Sequence, residues 1–359
     1  MMEIMFILGR DEELSFLELV SYFKAREINF NIMKREKEIV FVSLPNLDFD
    51  KVINELGGTV KIGKVFDNIE EFEFFDKAKI GISIYKKGGD LEEQIKSIFK
   101  KQNLRYVLKR PKENAFTPTE IIKQDLVDNG FEFLVSGNKT ARTIAVYNPF
   151  LYKQRDEQRP FIDERKISSI RLAKILINLS MTPKGTLMDP FCGYGTILQE
   201  AMLLGLDVKG LEVDNGTVEK CIKNLKWIKK QHDLKSDFGV LQGDSRKLSY
   251  LFKSADAIVT EPYLGPFLKK KPSKEEAEKI VKDLEKIYSG FFKEARKVLK
   301  GKMVIVFPRF LIENKEIKIS QDVFKKAGFN IFSVSEEIRI PIKYDVEGGK
   351  LQREIYVLN

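Results

Sequence analysis

The stretch Asp189-Pro190-Phe191-Cys192-Gly193-Tyr194-Gly195-Thr196 lies between a predicted strand at 186–189 and a predicted helix. Its two glycines let the backbone pass close to a ligand. Asp189 offers a carboxylate at the carboxyl end of a strand, where open α/β sheets bind their ligands. Leu198 stands where the third glycine of a dinucleotide fingerprint would be, so G-x-G-x-x-G is not met. The stretch therefore predicts a ligand-binding turn of an α/β sheet.

From residue 152 onward, predicted strands alternate with longer helices, which is typical of a parallel doubly wound sheet. A long amphipathic helix is predicted after Pro272, with Ser273 and Glu276 as a capping box and Gly301 at its end. The predicted strands are 186–189, 207–213, 237–242, 257–260, 302–307, 331–342 and 354–358.

The first 150 residues predict two smaller α+β units and show no catalytic constellation. Helices are expected at 12–26, 48–56 and 91–100, and paired strands within 30–43. Thr117 to Glu120 has the form of a capping box, and Gly130 is predicted to end that helix. Strands at 131–136 and 140–147 are expected to close the second unit.

Composition excludes several chemistries. Two cysteines, Cys192 and Cys221, and one histidine, His232, are too few for a Ser-His-Asp hydrolase, a His-rich metal centre or a Cys₄ zinc site. They also favour a reducing, cytoplasmic setting, and no apolar run approaches the roughly 18 residues of a membrane span. Residues 1–100 carry a net charge of −4 and residues 101–359 one of +13. A basic surface attracts nucleic acid, although a lysine-rich face that only aids solubility is an equal alternative.

Two further acids follow the next predicted strands. Glu212 comes 23 residues after Asp189, where a carboxylate accepts both ribose hydroxyls, and Asp244 is placed to accept an adenine amino group. Three acids on consecutive strand ends suit an adenosine with a cationic tail. Asp214 is interpreted as a helix cap only.

The string 189–196 resembles the D-P-F-C-G-S-G-T form of class I methyltransferases that use S-adenosylmethionine, in the branch that acts on guanosine N2 of RNA. Tyr152, Arg155-Asp156, Arg159-Pro160 and residues 171–179 are similar to the segment upstream of that loop in tRNA guanosine-N2 methyltransferases acting on guanosine 10. The resemblance implies a Rossmann-like catalytic domain at 151–359 with a seven-stranded, mostly parallel sheet. It also implies a ferredoxin-like domain at 1–58 and a THUMP-like RNA-binding domain at 59–150.

The same resemblance implies methyl transfer from S-adenosylmethionine to the N2 amine of a tRNA guanosine at position 10. The reaction that the resemblance implies needs no metal and no membrane. Whether it needs an activating protein subunit stays open. Catalytic roles fall to Glu261, Pro262 and Tyr263. The cofactor-binding positions are Asp189, Phe191, Gly193, Gly195, Thr196, Glu212 and Asp244.

One loop departs from the family. The fourth strand of these enzymes ends in D-P-P-Y-G, whereas this chain has Glu261-Pro262-Tyr263-Leu264-Gly265. Glu261 keeps the carboxylate with one more methylene, and Leu264 cannot stack on a base, so that role would pass to Tyr263. Two alternatives therefore stay open: methylation of an adenine or cytosine amino group in DNA or ribosomal RNA, and a catalytically silent RNA-binding protein.

Two other features, at Cys192 and at lysines 269–271, allow either a functional or a purely structural interpretation. Cys192 lies within the cofactor loop and matches the family there, so it is interpreted as a packing residue and not as a nucleophile. The run Lys269-Lys270-Lys271 would meet tRNA phosphates at the rim of the site, or it is simply solvated.

Overall fold

The computed structural model describes residues 1–162, 169–345 and 351–359. The chain forms two compact units, residues 1–16 with 27–157 and residues 17–26 with 158–359. An α/β architecture is confirmed. The assignments to a ferredoxin-like and a THUMP-like domain stay predictions, as do the boundaries at 58 and 150.

The first sheet contains eight strands in the order β2-β3-β1-β4-β8-β7-β5-β6. All neighbouring strands run antiparallel except β5, which is parallel to both β6 and β7. These strands are β1 (Met2–Leu8), β2 (Asn31–Glu36), β3 (Ile39–Leu44), β4 (Thr59–Phe66), β5 (Ala78–Lys86), β6 (Tyr106–Lys109), β7 (Gly130–Ser136) and β8 (Lys139–Val146). The helices within residues 1–158 are α1 (Glu12–Ala25), α2 (Phe49–Glu55), α3 (Leu91–Lys101), α4 (Pro118–Gln124) and α5 (Pro149–Gln158).

Helix α4 starts as predicted and ends earlier than predicted. Both hydrogen bonds of the capping box between Thr117 and Glu120 are present. The expected end at Gly130 is wrong, because Asp125 adopts the left-handed conformation at φ 57° and caps the helix. Its carboxylate accepts the backbone and side-chain N–H groups of Asn129, which stabilises that turn. Gly130 instead begins β7, where a Cβ would lie 2.7 Å from the Lys79 carbonyl oxygen.

The second sheet has seven strands in the order β11-β10-β9-β12-β13-β16-β15, and an eighth strand, β14, pairs with β13. The five strands from β11 to β13 are mutually parallel, and the remaining pairings are antiparallel. The mostly parallel core of the predicted sheet is thus present, with β14 added as a hairpin. The strands are β9 (Thr186–Asp189), β10 (Asp207–Glu212), β11 (Phe238–Gln242), β12 (Ala257–Thr260), β13 (Met303–Ile312), β14 (Lys315–Lys318), β15 (Ile342–Tyr344) and β16 (Gln352–Leu358).

The strand predicted at 331–342 is wrong. Only Ile331 forms an isolated bridge, to Leu358, before β15 begins at Ile342. Between them the Ser333 hydroxyl donates to the Ser335 carbonyl, and the Ser335 hydroxyl accepts the backbone N–H of Glu337. Such local side-chain bonds stabilise turns at the expense of a sheet ladder.

Helix α10 (Lys274–Val298) supplies much of the core of this part. Its predicted capping box between Ser273 and Glu276 is present, and Leu299 forms its C-cap two residues before Gly301. Its apolar stripe packs against β9, β12 and β13 through residues that include Tyr288, Phe291 and Phe292. The other helices are α6 (Ile170–Leu179), α7 (Thr196–Leu203), α8 (Asn215–Gln231), α9 (Leu248–Leu251) and α11 (Asp322–Lys325).

Residues 1–162, 169–345 and 351–359 contain neither a membrane-spanning helix nor a cluster of metal-binding side chains. No helix there combines the length and the apolar character that crossing a bilayer requires. No group of three or more His, Cys, Asp and Glu side chains is gathered to hold a metal ion.

Candidate active site

Parallel pairing brings the predicted site acids to one edge of the second sheet. Asp189 lies opposite Gly210 at the junction of β9 and β10, and Glu212 lies opposite Gln242 at the end of β11. Strand β12 pairs with β9 and ends one residue before Glu261. Because the carboxyl ends of parallel strands share an edge, the loops after β9, β10, β11 and β12 meet there.

Asp189 lies at the base of this edge with only 2% of its surface exposed. Its Oδ1 accepts the Thr260 hydroxyl at 2.7 Å and the backbone N–H of Phe191 at 3.1 Å. Burial is the main reason why the pKa of Asp189 is raised to about 7. The carboxylates of Glu212 and Glu261 contribute to this rise, and the two hydrogen bonds act against it. Because both neighbouring carboxylates affect this pKa, they lie close enough to Asp189 to interact with it electrostatically.

The raised pKa of Asp189 predicts a pH-dependent stability. The folded chain holds this proton more tightly than the unfolded chain, whose pKa is near 3.8. The stabilising contribution is therefore complete below about pH 4 and is lost as the pH rises through 7. A pKa difference of about three corresponds to about 4 kcal/mol as an upper bound.

Urea unfolding of the wild type and Asp189→Asn at pH 4, 6 and 8 measures this effect. Asparagine keeps the acceptor oxygen and removes the ionisation. The free energy of unfolding of the wild type should fall relative to the variant as the pH rises. Parallel pH profiles for the two proteins would show that Asp189 does not titrate in this range.

Glu212 ties the glycine loop to the end of β10. Its Oε2 accepts the backbone N–H of Gly193 at 3.2 Å, and its Oε1 accepts that of Asp214 at 3.1 Å. Asp214 itself accepts the backbone N–H of Thr217 at 2.7 Å as the N-cap of α8, which is the role expected from the sequence. Glu212 therefore holds the loop as well as standing at the predicted ribose position.

The two glycines of the loop have different environments. Both have positive φ angles, 50° at Gly193 and 84° at Gly195. A Cβ on Gly195 would lie 2.7 Å from the Cys221 sulfur, so this glycine allows α7 and α8 to pack closely. A Cβ on Gly193 would meet no atom within 4 Å among the described residues, its two chain neighbours aside. Gly193 thus faces open space beside Glu212, which leaves room for a ligand.

Cys192 is a buried packing residue in this structure. Its sulfur lies 4.0 Å from that of Cys221. The interaction with Cys221 and burial both raise the pKa of the Cys192 thiol well above its usual value. A protonated, buried thiol is a poor nucleophile, as the sequence interpretation expects.

Phe191 and Thr196 connect the glycine loop to residues elsewhere in the chain. The Phe191 ring contacts that of Phe291 edge to face, with 5.3 Å between centroids. The Thr196 hydroxyl accepts a hydrogen bond from Nη1 of the buried Arg159 at 2.9 Å. The family likeness includes Arg159, but no feature of the sequence indicates its contact with the start of α7. Both predicted cofactor residues thus have contacts within the protein.

Asp244 differs from the other two acids, because its carboxylate already pairs with a cation. It caps a 3₁₀ turn and accepts the backbone N–H of Arg246 at 2.9 Å. Both of its oxygens also contact the Arg246 guanidinium, the closest contact being 2.5 Å to Nη2. These bonds lower the pKa of Asp244. The predicted contact with adenine would have to share this carboxylate with Arg246.

Residues 261–265, called the target loop below, follow β12 and are anchored at two points. The Glu261 carboxylate is 11% exposed and accepts Nε of Arg353 at 2.7 Å. Pro262 is buried, and the Tyr263 carbonyl accepts the hydroxyl of Tyr288 at 2.6 Å. Tyr263 as a residue is 55% exposed. The loop therefore has a held carboxylate, a held backbone and an accessible aromatic ring.

Leu264 and Gly265 complete this loop. Leu264, at the usual aromatic position, is half-buried. Gly265, at φ 109°, lies so close to α10 that a Cβ would approach Ile280 Cγ2 to 2.9 Å. The three lysines 269–271 that follow are exposed.

Comparisons with known proteins agree with this geometry. A family described as UPF0020, an RMKL-like methyltransferase domain, matches residues 157–318. The tRNA (guanine(10)-N2)-dimethyltransferase of Methanothermobacter thermautotrophicus is 29% identical over 74% of this chain and 78% of its own length. The protein of that name from Pyrococcus abyssi is 32% identical over 44% of this chain and 43% of its own length.

Among solved structures, TrmN from Thermus thermophilus is similar over 99% of both chains, with a TM-score of 0.52 and 15% sequence identity. At that identity the likeness concerns the fold alone. The sequence matches say more about the kind of protein. Residues 157–318 match a methyltransferase domain described as RMKL-like, and the chain is similar to the tRNA (guanine(10)-N2)-dimethyltransferases.

Proposed function

We propose that this chain transfers a methyl group from S-adenosylmethionine to the exocyclic N2 amine of a tRNA guanosine, at position 10. The names of its relatives and its methyltransferase domain support this proposal. The observation that carries it is the Glu261 carboxylate, which Arg353 holds at the end of β12 next to Thr260, whose hydroxyl donates to the buried Asp189.

The residues at the sheet edge fit a cationic adenosine. Glu212 would place negative charge beside the open space at Gly193 and would accept the ribose hydroxyls. Asp189, with its pKa of about 7, would add to this charge when it is ionised. Asp244 would receive the adenine amino group, with Phe191, Gly195 and Thr196 shaping the loop. The cofactor, when bound, supplies a methyl group made electrophilic by a positively charged sulfur.

Glu261 and Pro262 would prepare the guanine amine for transfer. The lone pair of this amine is delocalised into the ring, so the nitrogen is a weak nucleophile. The Glu261 carboxylate and the Pro262 carbonyl would each accept one amine hydrogen and hold the nitrogen in line with the methyl carbon. The proton that the nitrogen loses, as its bond to the methyl carbon forms and the methyl–sulfur bond breaks to leave S-adenosylhomocysteine, would pass to the Glu261 carboxylate. The exposed Tyr263 ring would stack on the base, where stacking contributes about 1–3 kcal/mol.

The rest of the chain would bind tRNA. We assign residues 1–150 to recognition by shape and charge, as the family plan implies. The net positive charge of the chain lies after residue 100. Contacts with tRNA phosphates would therefore also involve the exposed lysines 269–271 at the rim of the site. We also propose a cytoplasmic setting, because the relatives are named for tRNA and the sequence has only two cysteines.

Nucleoside analysis tests the proposal directly. The protein is incubated with a tRNA transcript and S-adenosylmethionine carrying a deuterated methyl group, and the digested RNA is analysed by mass spectrometry. We expect label in N2-methylated guanosine, and its loss from a transcript with adenosine at position 10. Label in adenosine or cytidine would contradict the choice of base. Cofactor binding with no labelled nucleoside would support a silent RNA-binding protein.

A further inference from the structure

The contact between Arg353 and Glu261 joins two distant parts of the chain. Nε of Arg353 donates to Oε1 of Glu261 across 92 residues of sequence. Arg353 lies on β16 opposite Pro308 of β13, and Glu261 follows β12, which pairs with the other side of β13. The ion pair therefore reaches across β13 at the edge of the sheet that carries the site.

We propose that Arg353 is a positioning residue for methyl transfer, which fixes the carboxylate of Glu261 where it can accept the amine hydrogen. The inference rests on the proposed function and goes beyond it, because no motif in the loop points to a residue on β16. It also explains how glutamate serves at a position where the family motif has aspartate.

The argument begins with the length of the side chain. Glutamate has one more rotatable bond than aspartate, so an untethered carboxylate at position 261 would occupy several rotamers. Arg353 lies on β16, which has a neighbouring strand on each side, and is paired with Pro308 of β13 and Tyr344 of β15. A donor on such a rigid element limits the carboxylate to one place.

Burial and charge give the contact its strength. The two side chains are only 23% and 11% exposed, so water screens their attraction less than that of a surface pair. Glu261 also shares its environment with the carboxyl groups of Asp189 and Glu212. The guanidinium offsets part of the resulting repulsion and is itself always charged.

A double-mutant cycle tests the proposal in the full-length protein. Arg353→Ala should lower kcat for tRNA methylation about 10- to 100-fold, the scale of misplacing one reacting group, while KM for S-adenosylmethionine changes less than about threefold. Arg353→Lys should recover part of the loss. In a Glu261→Gln background, Arg353→Ala should cause no further loss, because the carboxylate that it positions is already gone.

Lys343→Ala is the matched control. Lys343 lies on the neighbouring strand β15 and pairs with Glu316 at 2.8 Å, so its removal takes one positive charge from the same sheet without touching Glu261. We expect its kcat to stay within about twofold of the wild type. Circular dichroism of each variant separates loss of fold from loss of positioning, and Arg353→Lys keeps the test informative if the alanine variant is unstable.

Specific results would overturn the inference. Full activity of Arg353→Ala, or losses that multiply in the double variant, would mean that Arg353 does not act through Glu261. If the wild type methylates no guanosine N2, the proposed function itself fails, and this inference fails with it. The wild-type measurement thus separates the two failures.

Discussion

Glu261→Gln is expected to lower the turnover of tRNA methylation at least about 100-fold while cofactor affinity stays nearly unchanged. A glutamine has the same length, but its neutral oxygen is a weaker hydrogen-bond acceptor and takes up no proton. The carboxylate lies in the loop after β12, whereas the cofactor contacts proposed above lie after β9, β10 and β11. Single-turnover kinetics and calorimetry with S-adenosylmethionine measure the two effects separately.

Glu278→Gln provides the control for this experiment. Glu278 is an exposed carboxylate on α10, with Lys274 as its ion-pair partner at 3.8 Å. Its replacement changes the net charge by the same amount and should leave turnover unaltered. Unchanged turnover in Glu261→Gln would mean that the loop uses another group to accept the amine hydrogen.

Glu212→Ala is expected to weaken the binding of S-adenosylmethionine about 100-fold or more. The substitution removes the acceptor of the Gly193 N–H bond and the predicted acceptor of the ribose hydroxyls. Hydrogen bonds to a charged group contribute about 1.5–3 kcal/mol each, and about 1.4 kcal/mol corresponds to a tenfold change in affinity. Isothermal calorimetry measures the change.

Asp214→Ala is the matched control, since Asp214 is a carboxylate only two residues away. It caps α8 through Thr217, so its loss should cost about 1 kcal/mol of folding stability and leave cofactor affinity within about threefold. Equal affinity losses in the two variants would show that Glu212 acts by general charge and not by position.

Local chemistry explains which elements the sequence predicts well. The capping boxes at Thr117 and Ser273 each satisfy two backbone donors within one turn, so the helix starts follow from neighbouring residues. The placement of Asp189 and Glu212 follows from strand–helix alternation, because parallel strands bring their carboxyl ends to one edge.

Contacts between distant residues explain what the sequence did not reveal. Arg353 and Tyr288 hold the target loop from positions 92 and 25 residues away, and no spacing rule connects them to it. The Arg246 guanidinium on Asp244 was also missed, although the two residues lie close together in the sequence. Such pairs depend on side-chain rotamers, which residue type alone does not determine.

A crystal structure of the protein with S-adenosylmethionine tests the central claim most directly. The account predicts the ribose hydroxyls on Glu212, the sugar and tail over Gly193, and the methyl group directed at the carboxylate of Glu261. Adenosine bound elsewhere, or the space beside Gly193 still vacant at saturating ligand, would contradict it.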